Sequence, residues 1–145
     1  MTTEAAPKKT LDQRRAEHAW NAVTALSNGA NSKGERVYPD GANEFAREAK
    51  KLPMRIMAAG LGHALAFINA KANKKQRLKQ LHVEITDWVI KRRPIAKAKV
   101  PDSLLESIIG GDASFLRRAT DEALAYLQWL NRFCEGEGLG KDGND

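Results

Sequence analysis

Few residues in this 145-residue chain have types and spacings that could do chemistry. Its three histidines, His18, His63 and His82, lie far apart, and no H-E-x-x-H pattern joins any two of them. Protein zinc sites draw on closely spaced His or Cys pairs, so the sequence predicts no metal site. Cys134 is the lone cysteine, which excludes an internal disulfide and a Cys-based zinc cluster. It follows Phe133 on an apolar helical stripe, and a thiol in such surroundings is inert. Asp121 and Glu122 are consecutive, so on a helix they point in different directions and make a poor acid–base pair. Gly29 and Gly34 have the spacing of a phosphate loop, but Glu35-Arg36 follow where Lys-Ser/Thr must stand, and Glu35 would repel a phosphate. Gly60-x-Gly62 and Gly136-x-Gly138-x-Gly140 open no strand–turn–helix unit. No catalytic residue and no cofactor is therefore expected. One enzymatic alternative stays open: a helical, metal-dependent RNA hydrolase that pairs His63 or His82 with a carboxylate.

Positive charge is the stronger signal. Residues 1–100 hold 20 Lys/Arg against 9 Asp/Glu, whereas residues 101–145 hold 4 against 9. The stretch 71–99 alone has 10 basic and 2 acidic side chains. Such a field attracts polyanions. The clusters are Arg14-Arg15, Lys50-Lys51 with Arg55, Lys71 to Lys79, Lys91 to Lys99, and Arg117-Arg118. From these, Arg14, Arg15, Lys50, Lys51, Arg55, Lys74, Lys75, Arg117 and Arg118 are the candidate nucleic-acid-facing set. Few aromatics are free to stack on bases: Tyr38 sits in a polar loop, and Trp129 is read as packing. Contact should then be with phosphates, which position a polyanion without reading its sequence.

Helices must hold these residues. The chain has 22 Ala and 14 Leu against 18 Val, Ile and Thr together, and no run of strict alternation, so no sheet is expected. Thr10 with Gln13 forms a capping box for a first helix, Leu11 to Ser27, whose inner face carries Ala16, Ala19, Trp20, Val23 and Leu26. A polar loop covers residues 28–39. Asp40 is placed to cap a short second helix, Ala42 to Lys51, and Pro53 to open a third, reaching Ala72. The third is apolar nearly all round, as befits the middle of a bundle. A fourth helix spans Lys74 to Ile90, residues 91–101 form a basic linker, and Pro101-Asp102 open a short fifth helix ended by Gly110-Gly111. Asp112 or Ser114 caps a long sixth helix to Glu135. The prediction is an all-α protein, a single compact bundle of about six helices over residues 11–135. A flexible N-terminus (1–10) and a disordered, acidic, Gly-rich tail (136–145) flank it. The longest apolar run, Leu52 to Ile68, is broken by Pro53, Arg55 and His63, so no membrane contact is expected. Nothing at the N-terminus reads as a secretion signal, and the lone cysteine suits a reducing cytoplasm.

Two stretches also carry a family resemblance. One is Lys50-Lys51-Leu52-Pro53 running into Ile56, then Gly60-Leu61 and Leu65-Ala66-Phe67. The other is Arg118-Ala119-Thr120, Glu122-Ala123-Leu124, Tyr126-Leu127, Trp129-Leu130 and Arg132-Phe133. With Ala19-Trp20, their order and spacing over Leu11 to Glu135 resemble the small helical subunit of the type III-B CRISPR effector, the Cmr complex. The resemblance implies a non-catalytic structural subunit that stacks in several copies beside the backbone and large subunits. There it would line the channel for the guide RNA and target RNA. The equivalent subunit of the sister type III-A complex is the alternative, and the Leu-Pro helix and Trp-Leu-x-Arg-Phe ending favour type III-B. A basic first part and an acidic last part would let successive copies meet with complementary fields.

Overall fold

A computed structural model describes residues 7–92 and 104–141, and all structural statements concern these. Six α-helices and one π-helical turn account for the regular structure: α1 (Leu11–Thr24), α2 (Asp40–Ala59), α3 (Leu61–Ala72), α4 (Gln76–Thr86), the π-turn (Asp87–Arg92), α5 (Leu104–Gly110) and α6 (Ala113–Gly136). The all-α class is as expected. No strand forms among the described residues; the loop 28–39 is pinched by one antiparallel bridge, Ala30 to Arg36.

The long α6 is the axis. It runs along α1 on one side and α2 on the other, while α3 and α4 pack together against α2. The sequence puts Leu116, Ala119, Ala123, Tyr126, Leu127, Leu130, Phe133 and Cys134 on one stripe of the sixth helix. From Ala119 on it lies in or against this core, with Ala19, Val23 and Leu26 from the first helical segment and Phe45, Ala49 and Leu52 of α2, whereas Leu116 is exposed. Two local start signals, Thr10 and Asp112, behave as predicted. The Thr10 side chain accepts from the Gln13 N–H and the Gln13 side chain accepts from the Thr10 N–H, satisfying two orphan donors of α1. Asp112 accepts from the Phe115 N–H to cap α6.

The middle of the chain departs from the expectation. Residues 40–72 are not split at Pro53; they form α2 through Ala59 and then α3 from Leu61. Asp40 does not cap but begins the helix, behind Pro39. A proline inside a helix leaves the carbonyl four residues earlier without its donor. That carbonyl belongs to Ala49, and the Asn131 side chain of α6 donates to it at 3.0 Å. The break falls instead at Gly60, whose φ of 93° is closed to most L-residues. Gly62, one residue into α3, lets Ile108 of α5 approach closely; a Cβ there would lie 3.3 Å from its methyl. Both helices have an outer face, so the segment is not apolar-and-buried all round. Met54 and Met57 are 77% and 80% exposed, and Phe67 is 40% exposed.

Three further differences concern the ends of elements. The fourth helix ends at Thr86 and gives way to the π-turn, which takes in Lys91 and Arg92 from the expected linker; the rest of that linker and the Pro101-Asp102 start lie outside the described residues. Trp20 is not a core residue: it packs edge-on against Phe133 beneath the Arg36 guanidinium. The chain after α6 packs onto the body instead of trailing off. Glu137 pairs with Arg36 and accepts from the Tyr38 hydroxyl, Leu139 is buried, and the Gly140 N–H donates to Asn43. Residues 142–145 of the expected tail lie outside the described residues.

Candidate nucleic-acid interface

The α2 helix builds the densest cationic feature. Arg47, Lys50, Lys51, Met54 and Arg55 recur at three- and four-residue spacing, so they share one face. With Gly140 they line an open groove of about 530 Å³. Lys50 and Lys51 are exposed, and neither has an ion-pair partner among the described residues. Arg55 is held. It donates to Glu48 at 2.7 Å, and its guanidinium lies 4.3 Å over the Phe67 ring. Lys71 of α3 reaches the other Glu48 oxygen at 3.0 Å and also sits over Phe67. Burial raises the pKa of Glu48, but the hydrogen bonds from Arg55 and Lys71 outweigh it and hold the carboxyl below its ordinary value. This buried carboxylate fixes the groove's inner wall and leaves the two lysines free at its lip.

The structure distributes the other candidates. Arg15 is turned inward, its side chain 12% exposed, between Asp12 and Glu122 at 2.7 Å each. Glu122 also accepts from the Trp88 indole, so Arg15 stitches α1 to α6 and the π-turn. Arg14 beside it is exposed, donates to the Arg92 carbonyl, and lines a separate polar pocket with Lys91 and Arg92. Lys74 and Lys75 are exposed in the turn between α3 and α4, with Lys75 3.9 Å from Glu44. Arg117 and Arg118 are exposed on the first half of α6. The nine candidates therefore form one groove-lining trio, two separate surface pairs, one pocket residue and one internal tie. Sequence reasoning missed Arg47. Its place three and four residues before Lys50 and Lys51 is already legible on the expected helix, Ala42 to Lys51; the single helix Asp40–Ala59 adds Met54 and Arg55 to the same face.

His18 does more than its isolation in the sequence suggests. It sits at a hub: Tyr126 Oη is 2.7 Å from Nδ1, Asp87 Oδ2 is 2.7 Å from Nε2, and the Trp88 ring is close by. The consistent assignment has the tyrosine hydroxyl donating to Nδ1 and Nε2–H donating to Asp87. Burial raises the pKa of Asp87, but hydrogen bonds from His18 and Arg92 bring it below the ordinary carboxylate value. Both ring nitrogens are thus engaged. His63 is exposed, and His82 has a buried Nε2 without a partner; neither pairs with a carboxylate among the described residues. No three His, Cys, Asp or Glu side chains gather in a metal-holding group there. Trp129 packs as predicted, stacked on Phe133 with its indole N–H donated to Asp12. No described helix is long and apolar enough to cross a membrane.

Comparison with known proteins adds an independent line. The family model described as CRISPR-associated protein (Cas_Cmr5) matches residues 11–137. The CRISPR system Cmr subunit Cmr5 of Thermus thermophilus is 28% identical over 129 residues, covering 88% of this chain and 95% of that protein. The crystal structure of a CRISPR-associated Cmr5 family protein from the same organism superposes with a TM-score of 0.66 at 26% identity, over 89% of this chain and 97% of the other. The matched span begins at Leu11, the first residue of α1, and ends at Glu137, which ties the chain's end to the 28–39 loop. This chain belongs to the Cas_Cmr5 family, the small helical subunits of the type III-B CRISPR (Cmr) effector.

Proposed function

We propose that this protein is a non-catalytic structural subunit of a cytoplasmic Cmr ribonucleoprotein, which stacks in several copies and offers cationic faces to the backbones of the guide and target RNA. The α2 groove carries this reading: four cations on one helical face, three of them without an ion-pair partner among the described residues, beside an apolar methionine. Charges at three- and four-residue spacing lie about 5–6 Å apart on a helix, which suits successive phosphates of a strand. A wall of this kind supplies affinity and position but no base readout. The non-catalytic part rests on the occupied nitrogens of His18 and the solitary settings of His63 and His82. Stacking draws support from the charge split along the chain, because the cationic faces and the acidic last third are complementary.

The test is the salt dependence of RNA binding. The Lys50→Ala/Lys51→Ala variant should bind every single-stranded RNA more weakly, by the same factor. Its log–log salt slope should flatten by about 0.7 for each phosphate that is no longer neutralised. A sequence-selective loss, or an unchanged slope, refutes backbone binding. Sustained cleavage of RNA by the pure protein with divalent metal refutes the non-catalytic reading. Self-association at low salt should weaken when ionic strength is doubled, and indifference to salt refutes charge-matched stacking.

A further inference from the structure

The polar pocket between α1 and the π-turn holds about 650 Å³ and shares no lining residue with the α2 groove. Its charges are unequally satisfied. Asp87 receives His18 and Arg92, and Glu17 pairs with Lys9. Glu84 receives no hydrogen bond from any described residue. The one basic nitrogen of the described residues within 4 Å, His18 Nε2, is 3.9 Å away, and its N–H donates to Asp87. The Glu84 side chain is only 24% exposed, and burial raises its pKa. A carboxylate held partly out of water without a donor is costly to keep, and native structures normally supply a partner. On the opposite count, Lys91 has no carboxylate partner among the described residues, and Arg14 touches only the Arg92 carbonyl. One pocket therefore presents an acceptor without donors and cations without anions.

A ligand that matches it carries N–H donors at one end and negative charge at the other. An amino-acid zwitterion has both but is small for this volume, which lies within the roughly 300–1,000 Å³ range of ligand pockets. A partner's arginine would meet Glu84, but only past three cations, Arg14, Lys91 and Arg92. A nucleotide meets both demands, and the bases differ at the acceptor. Guanine places N1–H and N2–H side by side, one for each carboxylate oxygen. The edges of adenine and cytosine set a ring-nitrogen acceptor beside their single amino group, and uracil flanks its one N–H with two carbonyls. The apolar part of the pocket comes from the buried side chains Ala22 and Trp88. The π-turn, a feature frequent at functional sites, brings Asp87, Lys91 and Arg92 to one opening.

We propose that this pocket binds a guanosine monophosphate unit, free or within an RNA strand, with Glu84 accepting from N1–H and N2–H of the base and Arg14 and Lys91 meeting the phosphate. The site stands apart from the backbone reading, since it shares no residue with the α2 groove. Titration calorimetry of the intact protein with 5′-GMP and 5′-AMP tests it. Wild type should prefer GMP by roughly tenfold, the discrimination expected of a bidentate base contact. Glu84→Gln, which conserves shape, should abolish that preference and leave AMP binding unchanged. Lys91→Ala should weaken GMP and AMP alike. The pentanucleotides AAGAA and AAAAA then identify the source. A preference for AAGAA assigns the guanosine to a strand, and a preference seen with the mononucleotide alone assigns a free nucleotide. Equal affinity for GMP and AMP, no binding of either at millimolar concentration, or a preference that survives Glu84→Gln overturns the proposal. Lys50→Ala/Lys51→Ala should bind GMP as wild type does, so failure of the groove and failure of the pocket read out separately.

Discussion

The contact between Pro53 and Asn131 makes the sharpest test of how this sequence tolerates a helix-interior proline. Pro53 cannot donate to the Ala49 carbonyl, and Asn131 donates in its place across the α2–α6 contact at 3.0 Å. Ala49 is fully buried, so its carbonyl has little access to water. Replacing Asn131 with Ala should therefore cost about 1–3 kcal/mol, the penalty for an unmet buried polar group. Pro53→Ala restores a peptide N–H four residues after Ala49. In that background the same Asn131→Ala change should cost about 0.5 kcal/mol, since the carbonyl then has its helical donor. The double-mutant cycle should show a coupling of about 0.5–2.5 kcal/mol, against the ~0.3–0.5 kcal/mol error of additivity at independent sites. Urea unfolding followed by far-ultraviolet circular dichroism is the assay. With a slope of about 2 kcal/mol per molar, Asn131→Ala should lower the midpoint by roughly 0.5–1.5 M in wild type and by about a quarter of a molar in Pro53→Ala. Equal costs in the two backgrounds would show that the asparagine merely packs and that the proline needs no surrogate donor.

Other outcomes follow from the charges and the thiol. Arg15→Met should lower stability by about 3 kcal/mol, because it strands Glu122 in the α1–α6 contact; the salt slope of RNA binding should stay unchanged, and a flattened slope would return Arg15 to the RNA-facing surface. Glu48 has a folded-state pKa below its reference of 4.5, so its contribution is present above that value and lost as pH falls through the folded pKa. The stability gap between wild type and Glu48→Gln should thus be flat above about pH 5 and shrink on acidification; a gap that widens in acid contradicts the pairing. Burial pushes the Cys134 thiol up to about 12, so iodoacetamide at neutral pH should modify the protein only after unfolding. Rapid labelling of the native protein would refute this.

What can be read from the sequence is what short-range physics decides. The Thr10–Gln13 box, the Asp112 cap and the α6 stripe from Ala119 to Cys134 depend on residues three or four apart, and each stands where local rules put it; only the stripe's first member, Leu116, faces outward. Pro53 looks like a helix start because its compensation comes from Asn131 on another helix, which no local rule can see. Gly60 reads as an interior glycine because composition does not disclose a positive φ. The chain after α6 reads as mobile because its glycines suggest it, yet its anchors, Arg36, Tyr38 and Asn43, lie about a hundred residues earlier. The candidate site divides in the same way. Lys50, Lys51 and Arg55 are legible as neighbours on one segment, whereas the burial of Arg15 and the convergence of residues 18, 87 and 126 are products of the tertiary fold.

The π-turn has a consequence for how this chain can vary through descent. A π-turn is what a helix becomes when one extra residue is fitted into it without unwinding its neighbours. Taking one residue out would return the stretch to plain α-helical winding, and the side chains inside the turn would lose their present spacing around the helix axis. Asp87 could not then face His18 while Ile90 stayed inside, although both now do so. Between Thr86 and Arg92, single-residue deletions should be far scarcer among functional relatives than substitutions, and the length of this short stretch should be guarded more closely than its spelling.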